Sequence, residues 1–131
     1  KTGEKLQLHG GGHSTRSFIH IEDVADATLK IALDGIPGET YHISTRSSVS
    51  IRELVNLICE MTGKPFEGLA EVTEDRLGKD QAYLLDSSRL REDLSWKDQI
   101  NLEQGLNETL SWIEDNLNQL KQLPQNYQHK P

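Results

Sequence analysis

Cysteine is almost absent from this chain: Cys59 stands alone among 131 residues. A disulfide framework is excluded by that count, and a lone thiol suits a reducing, cytoplasmic setting. Aromatic residues make up only 5% of the chain. Long apolar runs are missing too, and none approaches the ~20 residues of a membrane span. Basic charge is in deficit, with 14 Lys and Arg against 21 Asp and Glu and a net charge of −7. General nucleic-acid affinity is therefore not expected, although a few arginines can still focus the field on one phosphate. No Gly-x-x-Gly-x-x-Gly turn is present, so nothing in the chain is expected to cradle a dinucleotide. The opening Lys1-Thr-Gly-Glu-Lys5 lacks an initiator methionine and is not followed by an apolar stretch. It does not fit a signal peptide and reads like a sequence entered midway.

What is present is punctuated clearly enough to place elements. Lys5 to His9 is a short strand candidate, stopped by Gly10-Gly11-Gly12. Ser17 to Ile21 is a second, and a helix opens at Glu22 or Asp23 and runs to Leu33, its carboxylates suited to the positive helix end. Val24, Ala25, Leu29, Ile31, Ala32 and Leu33 cover more than one face, which predicts a well-buried helix. Gly35 to Gly38 is a turn, and Glu39 to Ser44 alternates like a strand. Ser50 with Glu53 three residues on spells a capping box, and Gly63 closes the helix that follows. Leu69 to Thr73 and Tyr83 to Leu85 are weaker strands. Asp86 or Ser87 caps a short helix, and Leu102 to Leu117 carries a helical stripe. Residues 1–117 are read as one lobe and 118–131 as a polar, flexible tail. The fold class is α/β, with short strands among several helices.

Two arginines are the candidates for binding chemistry, although an arginine beside a loop is more often a plain surface residue than a ligand contact. Arg16 lies at the mouth of a strand, and Arg76 sits within Glu74-Asp-Arg-Leu-Gly-Lys-Asp80, among short polar residues and glycine. A guanidinium offers a planar fork of donors that matches a diphosphate and does not lose its proton. Other arrangements are weaker. His9 and His13 have helical metal spacing, but three glycines separate them, so no metal site is expected. Glu22 and Asp23 are neighbours that point apart, so a helix cap is a better reading than an acid/base pair. Gly10-Gly11-Gly12 lacks the Gly-Lys-Ser/Thr of a phosphate loop and leads toward a strand. Cys59 falls in an apolar helical pattern as a buried thiol, and Trp96 and Trp112 read as packing anchors.

The order of these motifs resembles the C-terminal part of the extended short-chain dehydrogenase/reductase family, the nucleotide-sugar epimerases and dehydratases. Arg16-Ser-Phe-Ile-His-Ile-Glu-Asp23 looks like that family's Arg-x-Phe-x-His-x-x-Asp segment. Gly38-Glu-Thr-Tyr-His-Ile-Ser44 looks like its Gly-Glu-x-Tyr-Asn-Ile-Gly, and Asp75-Arg-Leu-Gly-Lys-Asp80 like its Asp-Arg-Pro-Gly-His-Asp. The likeness spans roughly residues 3 to 117. It implies that Gln7, Leu8 and His9 border the nucleotide base, that Arg16 and Arg76 meet the diphosphate, and that His42 and Lys79 face the nucleotide. His9 stands where the family has Tyr or Phe, His42 where it has Asn, Leu77 where it has Pro and Lys79 where it has His.

The resemblance implies the substrate lobe of an NAD(P)-dependent nucleotide-sugar dehydratase, dTDP-glucose 4,6-dehydratase-like, with a 4-epimerase as the next choice. NAD(P) would be held by an N-terminal Rossmann lobe not found in these residues. The family's Tyr-x-x-x-Lys pair is absent, since neither Tyr41 nor Tyr83 has a lysine four residues on. No catalytic, cofactor-binding or metal-ligating residue is therefore expected here, and the lobe alone is expected to be inactive and to expose apolar surface. A homo-oligomer is compatible with that surface; no membrane or nucleic-acid partner is expected. The competing reading is a stand-alone binding or interaction module.

Overall fold

A computed structural model describes residues 5–75, 78 and 80–123. Five short strands and five helices follow in the order β1 (Leu6–His9), β2 (Thr15–Arg16), α1 (Ile21–Asp34), β3 (Val49–Ser50), α2 (Ile51–Thr62), α3 (Phe66–Leu69), β4 (Ala70–Thr73), β5 (Ala82–Tyr83), α4 (Ser88–Asp93) and α5 (Leu102–Leu120). The expected α/β class with short strands is what the chain adopts. β1 pairs parallel with β4, placing His9 opposite Thr73. A separate three-stranded sheet has the order β3-β2-β5, with Arg16 opposite Val49 on one side and Tyr83 on the other.

Between β1 and β2, Gly10, Gly11 and Gly12 form a single 3₁₀ turn with φ of 58°, 69° and 75°. Three left-handed residues in a row cost little only for glycine. The turn lets the chain leave one sheet and enter the other.

α2 follows its sequence signals closely. The Ser50 hydroxyl accepts from the Glu53 N–H at 3.1 Å, and the Glu53 carboxylate accepts from the Ser50 N–H at 2.6 Å. The helix closes on Gly63 (φ 63°), with N–H groups of Gly63 and Lys64 reaching the Glu60 and Cys59 carbonyls. Its inner face joins Leu8, Val55, Cys59 and Ala70 into one core, with Ile51, Phe66 and Leu69 packed against it. Burial, and then the charges of Glu67 and Glu60, push the Cys59 thiol up, so it is a packed, inert group. α3, a single turn ahead of β4, has no counterpart in the sequence reading.

A second core gathers Ala27, Leu90 and Trp96, flanked by Ile19, Ile31, Tyr41, Ile43 and Leu94. Trp96 is the expected anchor, with the Arg91 guanidinium 5.0 Å from its ring centroid. Trp112 is not: it lies on the outside of α5, 56% exposed.

Other elements also depart from expectation. The second strand is Thr15–Arg16, not Ser17 to Ile21; residues 17–20 lead into α1, and Ile21 is already helical. α1 is capped by His20, whose Nδ1 accepts from the Glu22 N–H at 3.4 Å, rather than by a carboxylate. Asp23 turns inward instead: only 4% exposed, its carboxylate accepts the N–H groups of Gln99 at 2.8 Å and Ile100 at 3.0 Å. Glu39 to Ser44 forms no strand, because no neighbouring strand lies alongside it; Tyr41 and Ile43 serve the second core from an irregular segment.

The burial of α1 departs from expectation as well. Only Asp23 and Ala27 are buried on it. Ile21 (71%), Leu29 (59%) and Leu33 (72%) face outward, so the helix has an uncovered apolar side. α5 runs three residues past the expected end at Leu117. Residues from 124 on, including most of the expected flexible tail, lie outside the described residues.

Candidate functional site

Of the predicted site residues, His9 and Arg16 lie at the carboxyl ends of β1 and β2. Arg16 ends β2. Its Nη1 donates to the Thr15 carbonyl at 2.7 Å and its Nη2 to the Asp80 carbonyl at 3.0 Å. Those two bonds lay the guanidinium across the chain just ahead of β5. His9 ends β1, half-buried, with Nδ1 3.0 Å from the Thr73 hydroxyl and 3.3 Å from the Glu74 carbonyl. The stretch from Glu74 to Asp80 is thus tied to His9 at its start and to Arg16 at its end. Arg76 and Lys79, the other predicted contacts in that stretch, lie outside the described residues.

The glycine turn is held from both sides. A Cβ on Gly10 would come within 2.3 Å of the Asp75 carboxyl carbon, so the Asp75 side chain rests on the bare Cα. From α2, Arg52 Nη1 reaches the Gly11 carbonyl at 3.4 Å while its guanidinium stacks 4.8 Å from the Phe66 ring centroid. Gln7 is exposed on β1, whereas the Leu8 side chain, 2% exposed, belongs to the core and leaves only its main chain to face a ligand.

His42 stands apart from this turn. It is exposed, and its electrostatic partner is Asp86. The hydroxyl and N–H of Ser88, the latter at 2.9 Å, hold the Asp86 carboxyl below its usual value, with the charges of His42 and Arg46 adding to the effect. Where β2 and β5 end, a cleft of about 250 Å³ opens among Ser17, Thr45, Arg46, Ser48, Asp86 and Ser88. It is rich in hydroxyl donors and carries one guanidinium. Arg46 was not among the predicted contacts. Its signal in the sequence is the donor-rich run Thr45-Arg-Ser-Ser48 directly after the segment bearing His42.

Behind the cleft a buried polar network fixes the backbone. Arg91 donates to the Ser44 carbonyl at 3.0 Å, to the Ser87 hydroxyl at 3.0 Å and to Asp98 at 2.6 Å. Burial works to raise the Asp98 carboxyl, but hydrogen bonds from Arg91 and Thr45, together with the Arg91 charge, outweigh it and keep the group below its usual value. His20 is likewise structural: besides capping α1, its Nε2 lies 3.3 Å from the Glu108 carboxylate on α5.

Among the described residues, no group of three or more His, Cys, Asp or Glu side chains is placed to hold a metal ion. No helix among them is long and apolar enough to cross a membrane. The three glycines lead into β2 rather than into a helix, so these residues do not form the strand–turn–helix that a dinucleotide requires.

Comparison with known proteins gives the arrangement its context. A family model described as GDP-mannose 4,6 dehydratase matches residues 1–109. A trifunctional UDP-glucose 4,6-dehydratase/UDP-4-keto-6-deoxy-D-glucose 3,5-epimerase/UDP-4-keto-L-rhamnose-reductase of Arabidopsis thaliana is 33% identical over 88% of this chain and 17% of its own length. The dTDP-glucose 4,6-dehydratase of Escherichia coli is 32% identical over 87% of this chain and 34% of its own length. Among solved structures, dTDP-glucose 4,6-dehydratase from Bacillus anthracis in complex with NAD superimposes with a TM-score of 0.81 at 30% identity, over 88% of this chain and 36% of that one. The chain therefore spans about a third or less of the length of these relatives. A family match over most of its residues, and relatives above 30% identity that cover nearly nine-tenths of it, establish that the chain belongs to the GDP-mannose 4,6-dehydratase family.

Proposed function

We propose that this chain is the sugar-nucleotide-binding part of a nucleotide-sugar 4,6-dehydratase, with a 4-epimerase as the neighbouring possibility in reaction type. The observation that carries the reading is the double tether of the Glu74–Asp80 stretch, to His9 at one end and Arg16 at the other. Motifs 60 and more positions apart in sequence meet in one place, in the order the family uses. In this reading Arg16 and Arg76 grip the diphosphate, Gln7, Leu8 and His9 border the base, and His42 and Lys79 face the nucleotide. Arg46, at the mouth of the polar cleft, supplies further positive charge.

The chain binds and orients; it does not carry the redox step. A nicotinamide cofactor supplies hydride transfer in such chemistry, and the described residues, with no glycine-rich strand–turn–helix among them, do not fit one. A Rossmann lobe belonging to the same enzyme would cover the outward side of α1, where Ile21, Leu29 and Leu33 stand exposed. Without that cover the same side promotes self-association. The lone, buried Cys59 suits a cytoplasmic setting.

Titration with dTDP-glucose and UDP-glucose tests the site. Each charge-assisted bond contributes about 1.5–3 kcal/mol, so Arg16→Ala should weaken binding by about 10- to 150-fold. Unchanged affinity in Arg16→Ala and Arg76→Ala alike would remove both arginines from the site.

A further inference from the structure

His9 borders the base in the proposed site and stands where the family has an aromatic ring, whose face could stack on a base. Its hydrogen bonds point to a different task. Nδ1 is engaged with the Thr73 hydroxyl at 3.0 Å and lies 3.3 Å from the Glu74 carbonyl, so the edge of the ring is turned toward the end of β4. The carbonyl can only accept, whereas the hydroxyl can donate or accept. With the hydrogen on Nδ1, the ring donates to Glu74; with it on Nε2, Nδ1 accepts from Thr73. Each neutral tautomer therefore retains a bond to β4. One residue further, the Asp75 side chain rests on Gly10, where a Cβ would meet the carboxyl carbon at 2.3 Å. Arg52 holds the far side of the same turn through the Gly11 carbonyl.

We propose that His9 is a positioning residue: its imidazole clasps the end of β4 to the end of β1 and thereby fixes the Gly10–Gly12 turn beside the nucleotide, a task done by its in-plane nitrogen whatever its ring face meets. The inference rests on the nucleotide-binding reading for its ligand, but the clasp itself does not require a ligand. A phenyl ring has the face that stacking uses and lacks the nitrogen that clasping uses. The side-chain amide of asparagine offers a donor and an acceptor near the position of Nδ1.

Three variants of the full chain, His9→Phe, His9→Asn and Thr73→Val, separate the two tasks when titrated with UDP-glucose and dTDP-glucose. Clasping predicts that His9→Phe weakens binding by about three- to tenfold, the loss of one or two neutral hydrogen bonds, that Thr73→Val follows it in part, and that His9→Asn stays within about twofold of the parent. Binding by His9→Phe equal to or tighter than the parent overturns the proposal. The ligand-free readout is the ¹⁵N resonance of His9 Nδ1, which Thr73→Val should shift. The clasp is overturned, whether or not any nucleotide binds, if the Nδ1 resonance shows neither acceptance from Thr73, lost in Thr73→Val, nor a hydrogen held on Nδ1 and donated to the Glu74 carbonyl. Should the parent bind neither sugar nucleotide while that resonance does shift, the clasp stands and it is the functional reading that fails.

Discussion

Asp23 shows how one residue can look like a helix cap in the sequence and serve another end in the fold. Its carboxylate, itself buried, takes two part-buried backbone N–H groups from the approach to α5, seventy-odd positions away. Asp23→Ala would leave both donors part-buried and unpaired, at about 1–3 kcal/mol each. A fall of roughly 2–4 kcal/mol in unfolding free energy, read from the urea midpoint, is the expected result. Asp98 makes a prediction about acid. Its folded value is lowered, so its contribution to stability is present above the ordinary carboxylate value near ~4 and is lost as pH falls through the lowered one. Stability measured from pH 6 downward should therefore decline less steeply in Asp98→Asn, which starts lower and has less to lose. An identical acid limb in parent and variant would contradict the assignment.

At the scale of elements, legibility followed the range of the forces. α2 was readable to the residue because its start and stop are made by neighbours: a hydroxyl and a carboxylate three positions apart, and a left-handed glycine. Ser50→Ala should cost about 1 kcal/mol in thermal or urea unfolding with an unchanged m-value. The strands were less legible, since β2, β3 and β5 are two residues each and exist only by virtue of one another. Alternation in Glu39 to Ser44 announced a strand, but pairing needs a partner, and the segment instead turns Tyr41 and Ile43 into the second core. Single-turn α3 left no periodic trace at all. The candidate site was legible as an ordered series of motifs, His9 and Arg16 among them. The bonds joining those motifs were not, because a hydrogen bond between His9 and Glu74 leaves no pattern at either position.

At the scale of the whole molecule, the uncovered side of α1 is the dominant feature. Its apolar residues run round more than one face, which predicts burial, yet among the described residues Ile21, Leu29 and Leu33 stand exposed on one of those faces. Sedimentation at rising concentration should show association of the parent chain, and the double change Leu29→Glu, Leu33→Glu should reduce it while leaving the circular dichroism spectrum unchanged. A parent that stays monomeric across the range would show that this face is tolerated in water. The net charge of −7 works in the same assay, opposing association at low salt and less so as salt screens it.

The sequence by itself determined the α/β class, the capped helix α2 with its glycine stop, and the motifs whose series marks the family, because each cap, stop and motif is made by residues within a few positions of one another. Tertiary structure alone decided which strands pair, where the Asp23 carboxylate goes, which side of α1 lacks cover and how His9 and Arg16 come to hold the two ends of one stretch. Those outcomes depend on distances between residues far apart in the chain, and such distances are set only when burial and backbone pairing are satisfied everywhere at once.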